Sequence, residues 1–127
     1  DSIIKLSIQS DTDEIDKRKT AQSICPNLIH SLDASCLMLA VIKAKDKGVT
    51  NFSLIHDSFG CVAPDVHKLS EAIREAFCEV YEQDVLTNWA MEMKQMLSDK
   101  NAKKFPHIPE RGNLDLSLVK QSIFFCV

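Results

Sequence analysis

Seven consecutive apolar residues, Cys36 to Ile42, lie inside a longer segment that opens at Pro26 and is stopped at Gly48. Proline suits a first helical turn, where a missing N–H costs nothing, and glycine is the usual residue just past a helix end. The segment from Pro26 to Lys47 is therefore read as a helix whose second half, apolar nearly all round, belongs in an interior. Its first half places Asn27, His30, Ser31 and Ala34 at i, i+3, i+4 and i+7, with Asp33 beside them. A polar stripe on a helix made for a core must meet a ligand or be satisfied by neighbouring chain, because buried polar groups need partners. The residues alone leave both open.

Around that helix the pattern is mixed. Ile4 to Ile8 alternates well enough for a strand. From Ser10 to Lys19 acids precede bases, the order that complements a helix dipole, so this stretch reads as a short helix or a solvated charged turn. Phe52 to His56 is a short strand, Asp57-Ser58-Phe59-Gly60 has the residues of a type I turn, and Cys61 to Ala63 returns as the second strand. Period-two geometry puts Phe52, Leu54 and His56 on one face and Ser53, Ile55 and Asp57 on the other. Asp57 then sits at the tip of a tight hairpin, where an Asp can also simply cap the turn.

Val66, Leu69, Ile73, Phe77 and Val80 form a helical stripe with Asp65 as N-cap. The phase breaks at Gln83-Asp84 and resumes with Leu86, Trp89, Met93 and Met96, which reads as two helices or a kinked one packing a core. Lys103 to Gly112 is an extended loop, Leu114 to Gln121 a short last helix, and the apolar ending Ile123 to Val127 is expected to dock. The fold class is α+β, mostly helical.

A formal charge of −3, with 45% hydrophobic and 26% charged residues, excludes wholesale disorder. The 127 residues suit one unit, 1–127, with a core of its own. The acidic balance argues against a free-standing nucleic-acid binder. Lys43 ends the longest apolar run, so no membrane partner is expected, and no secretory signal is visible. The chain opens without Met, which suggests a piece of something longer. Five cysteines, at wide spacing, make neither a disulfide framework nor a zinc site; four of them lie in apolar surroundings and read as buried reduced thiols in an intracellular compartment.

Cys25-Pro26-Asn27-Leu28-Ile29-His30-Ser31-Leu32-Asp33-Ala34-Ser35 followed by Leu54-Ile55-His56-Asp57-Ser58-Phe59-Gly60 resembles the C-terminal part of the single-subunit, bacteriophage-type DNA-dependent RNA polymerases. Glu14-Ile15-Asp16, Pro109-x-x-Gly112-Asn113-Leu114-Asp115-Leu116 and the aromatic terminus match in the same order. The resemblance implies part of a right-hand polymerase palm, with the β-hairpin carrying the catalytic Asp. It implies Asp57 as a ligand of two Mg²⁺ ions, His56 beside the primer end, and His30, Asn27 and Ser31 near the nascent base pair. DNA template, RNA transcript and ribonucleoside triphosphates are the implied partners.

Cys36 stands where many members carry histidine, and the second metal-binding Asp and the nucleotide-handling Lys and Tyr of the family are absent from these residues. A fragment inactive alone is therefore expected, and its exposed apolar surfaces favour self-association. A family-A DNA polymerase normally continues its hairpin His-Asp with Glu, whereas Ser58 follows here. A non-catalytic binding module on the same scaffold is the alternative outside catalysis.

Overall fold

The computed structural model describes residues 4–8 and 10–125. Helix α1 spans Lys17–Asp46 and so begins well before Pro26, which lies inside it. The start is set by Asp16, whose carboxylate accepts the backbone N–H groups of Arg18 and Lys19, both at 3.0 Å. The acids before Lys17 therefore form a capped approach to α1 and no separate helix. Gly48, at φ 90°, ends α1 as expected: its N–H reaches the Lys45 carbonyl at 2.9 Å, and Val49 reaches Ala44 at 3.0 Å.

The strand expected at Ile4–Ile8 does not form, and Ile4, Leu6 and Ile8 are exposed. A strand needs a partner edge. Among the described residues the sheet is the two-stranded hairpin β1 (Phe52–Ile55) and β2 (Ser58–Cys61), paired antiparallel from Phe52↔Cys61 to Ile55↔Ser58. The turn is tighter than its composition suggests, only His56 and Asp57, so Ser58 to Gly60 belong to the return strand. This register sets Phe59 opposite Leu54 on the half-buried side. A Cβ at Gly60 would lie 3.3 Å from the Ser53 carbonyl oxygen, so the crossing there favours glycine.

A 3₁₀ turn, Ala63–Asp65, leads into α2 (Val66–Glu82). Asp65 holds the N-cap position, yet its carboxylate pairs with Lys68 at 2.8 Å and caps no backbone N–H. Helices α1 and α2 pack along small residues: Ala40 and Ala44 from one, Ala72 and Ala76 from the other, all fully buried with Val49, Leu69 and Ile73 in one core. Alanines let the two backbones approach closely. Lys43 bonds Glu79 at 2.7 Å, and Lys47 bridges Glu75 and Glu71 at 3.1 and 3.2 Å, an order that makes the helices antiparallel.

The Cys36–Ile42 stretch is less buried than its composition predicts. Only its α2-facing side is covered, and Met38 and Ile42 face outward. By length and composition α1 is long and apolar enough to cross a membrane. In this fold α1 packs against α2, with Lys43 on the helix and Lys47 at its C-cap paired to glutamates of α2. Of the described cysteines only Cys78 is buried; Cys25 is exposed, and Cys36 and Cys61 are half-buried. Apolar sequence neighbours on a helix point in different directions, so they do not by themselves bury a thiol.

Gln83 is extended and Asp84 caps α3 (Val85–Gln95) through the Thr87 N–H at 3.3 Å, so the phase break marks two helices. Of α3 only Ala90 is buried, and the expected core stripe ends in exposed Leu86 and Met96. A single turn, α4 (Asp99–Ala102), precedes the loop, and α5 covers Ser117–Gln121. The C-terminal segment runs along α2: Arg111 donates to the Glu82 carbonyl at 2.8 Å and to that of Tyr81, Cys78 to Leu116, and Arg74 to Val119 at 2.6 Å. Phe125 docks edge-on against Phe77 at 5.0 Å, under the Arg74 guanidinium, while Ile123 and Phe124 stay exposed. Cys126 and Val127 lie outside the described residues.

Candidate active site

A cleft of about 870 Å³ opens between α1, the hairpin tip and α2. From α1 it receives His30, Asp33, Ala34, Cys36 and Leu37; from the hairpin, His56, Asp57 and Phe59. The far wall is Ile73, Phe77 and Tyr81 of α2, closed by Phe125. A more open depression beside Asp16 and Lys19 holds none of the expected site residues.

The hairpin explains how Asp57 comes to project. A two-residue turn with positive φ at its first central position suits the twist of paired strands, and glycine normally fills that position. Here it is His56, at φ 54°. A side chain in the left-handed region is strained, and such strain persists only where surrounding structure imposes it. The strain places His56 and Asp57 side by side at the rim, both exposed.

Of the five residues singled out from sequence, His30, His56 and Asp57 share the cleft; Asn27 and Ser31 do not line it. Ser31 turns its hydroxyl to the Leu28 carbonyl at 2.7 Å. The polar stripe is thus not satisfied inside a core: Asn27, His30, Ser31 and Asp33 are all exposed. Tyr81, Phe77 and Phe125 were missed as site residues. Tyr81 follows Phe77 by four, so it extends the α2 stripe by a turn with a polar tip, a signal visible in the sequence.

Asp33 and Asp57 bring two carboxylates to the cleft. Burial holds the Tyr81 phenol above its ordinary value, and the Asp33 carboxylate adds to the effect, with a smaller contribution from Cys36. Among the described residues no three His, Cys, Asp or Glu side chains converge to hold a metal ion. An exposed carboxylate on a tight turn is nevertheless a donor suited to Mg²⁺, which prefers hard oxygens and keeps water and phosphate ligands. Asp57 fits as one ligand of such an ion and falls short of a complete set.

The profile of the DNA-dependent RNA polymerase family matches residues 2–104, and the chain belongs to this family, in its single-subunit, phage-type branch. It is 40% identical over 124 residues to DNA-directed RNA polymerase 2, chloroplastic/mitochondrial, of Arabidopsis thaliana, covering 98% of this chain and 12% of that protein. It is 39% identical over 113 residues to T7 RNA polymerase of Escherichia phage T7, covering 87% of this chain and 13% of the phage enzyme. DNA-directed RNA polymerase 1A of Nicotiana tabacum is 35% identical over 120 residues, with 94% and 75% covered. The chain thus spans about an eighth of the first two relatives.

Proposed function

We propose that this chain is the catalytic-hairpin segment of a polymerase that synthesises RNA on a DNA template from ribonucleoside triphosphates. The observation that carries this is the meeting of His56-Asp57 with His30 in one cleft, in a chain of this family. The segment forms part of a right-hand palm, and Asp57 is its catalytic carboxylate. Asp57 would hold Mg²⁺ together with a carboxylate from outside these residues. Bound there, a pair of ions supplies an activated 3′-hydroxyl and a stabilised leaving pyrophosphate. The chain's own part is to hold the Asp57 carboxylate rigidly on the two-residue turn. His56 at the rim borders the transcript end, and His30 offers an imidazole to the ribose edge of the nascent pair, where 2′-hydroxyls can be read. Asn27 and Ser31, on the outer side of the same helical stripe, contact the nucleic acid beyond the cleft.

The enzyme works inside a cell, in a bacterial host or an organelle like those named for its relatives. The 127 residues alone are inactive, and their exposed apolar faces self-associate. Ser58 after His56-Asp57 favours RNA over DNA synthesis. Asp57→Asn, placed in a complete polymerase that carries this segment, tests the reading. Single-turnover extension should fall by about a hundredfold or more, the scale for losing a preorganised charge at a reacting centre. Promoter binding should persist. Extension within about tenfold of the parent would make Asp57 a turn residue and refute the assignment.

A further inference from the structure

Charge is unevenly spread along this acidic chain. Lys94, Lys100, Lys103, Lys104 and Arg111 against Asp99 and Glu110 give residues 94–111 a formal charge of +3, which leaves −6 for the rest of a chain at −3. The fold gathers three of these lysines on one face. From Ser98 to Phe105 the backbone coils without a break. Asn101 and Ala102 donate to the Ser98 carbonyl at 2.8 and 2.9 Å, Lys103 to Asp99 at 3.3 Å, Lys104 to Asn101 at 3.0 Å and Phe105 to Ala102 at 3.3 Å. A helical turn of about 100° per residue puts Lys100, Lys103 and Lys104, at i, i+3 and i+4, on one side and Ala102 and Phe105 on the opposite side. Burial follows that division: Ala102 and Phe105 are half-buried, and the three lysines are exposed. The coil is pinned from α3, whose Lys94 ammonium lies over the Phe105 ring, 5.1 Å from its centroid.

The three lysines also lack counter-charges. Lys43, Lys47 and Lys68 each meet a carboxylate within 3.2 Å, whereas among the described residues Lys100, Lys103 and Lys104 form no ion pair, with Asp99 and Glu110 or with any other acid. Three uncompensated ammonium groups on stems rooted about 5–6 Å apart suit a polyanion whose charges recur every few ångströms. Lysine is depleted in protein–protein interfaces, which disfavours a protein partner. We propose that the face of Lys100, Lys103 and Lys104 is a docking surface for the phosphodiester backbone of nucleic acid. The proposal rests on the reading of the chain as a polymerase segment and adds a hold made by residues that do not line the cleft. It carries no base readout, because an ammonium on a flexible stem is a point charge without a directional fork.

A complete polymerase carrying the segment tests this, with Lys100, Lys103 and Lys104 all changed to Gln. Binding of a fluorescein-labelled DNA duplex and of a labelled RNA single strand is followed by anisotropy between about 50 and 200 mM salt. The plot of log affinity against log salt should become shallower by roughly two to three for the duplex, or by about two for the single strand, and affinity should fall most at the lower salt. A change with the duplex places DNA on this face, and a change with the single strand places the transcript there. Arginine at the same three positions keeps the charges and should keep the parent slope. An unchanged slope with both probes would overturn the proposal. So would an equal loss when Lys17, Lys19 and Lys45 are changed to Gln, because net charge would then account for the effect. Failure of the catalytic reading shows separately, as extension that survives Asp57→Asn.

Discussion

His56→Gly separates what the hairpin needs for folding from what it needs for chemistry. His56 sits at φ 54° in a two-residue turn, where an L side chain costs roughly 1–2 kcal/mol and glycine almost nothing. Glycine returns about 0.5–1 kcal/mol of that through the greater freedom of the unfolded chain. The exposed imidazole adds little burial to set against it. The net expectation is a gain of about 0.5–1 kcal/mol. With an unfolding entropy near 2.1 cal/mol/K per residue, 127 residues respond by roughly 2–4 °C in Tm. Thermal and urea melts of the two proteins measure this directly. In a complete polymerase the same change should slow extension, because Asp57 loses its rigid neighbour and the site loses the imidazole at its rim. A variant that melts at or below the parent would refute the reasoning: the turn would then be held by His56 contacts instead of strained despite them.

Ala44→Leu inserts three carbons into a fully buried seam between α1 and α2 and should cost about 1–3 kcal/mol, seen as a lower urea midpoint; an unchanged midpoint would mean the helices do not meet there. His30→Ala removes a cleft-facing, exposed imidazole, so Tm should hold while ribose discrimination drops by about 1 kcal/mol, or roughly fivefold, on the scale of one hydrogen bond to substrate. A clear fall in Tm with the ratio intact would place His30 in the core. The hydrogen bond that Lys43 donates to Glu79 holds it above its ordinary value of 10.5, those that Lys47 donates to Glu75 and Glu71 raise it likewise, and burial raises Tyr81 above 10.0. Groups raised on folding contribute stability that is fully present below their ordinary values and lost as pH rises through the folded ones. Melting temperature should therefore decline above about pH 10, and Glu79→Gln should flatten that decline; an identical alkaline slope in the variant would remove Lys43 from the account.

Several features were legible in the sequence because their causes are local. Gly48 stops α1 because only a residue tolerant of positive φ fits there. The loss of phase at Gln83-Asp84 separates two helices because Asp84 can cap the second. The hairpin was readable from alternation, although the turn residues placed its turn at Asp57–Gly60 instead of His56-Asp57, and the ordered motifs around His30 and His56-Asp57 carried the family. Other features depended on what a segment meets. Ile4–Ile8 has the alternation of a strand and no edge to pair with. Pro26 looks like a helix start, yet the Asp16 cap nucleates earlier. Tyr81 and Phe125 reach the cleft from separate segments, which no spacing rule joins. Asn27 and Ser31 share a stripe with His30, but each helical residue turns by about 100°, and the position of α2 and the hairpin decides which part of the stripe faces the cleft. Backbone hydrogen bonds and caps are satisfied among near neighbours, so the sequence declares them; a cleft is the space left between surfaces distant in the chain, and only their packing determines its walls.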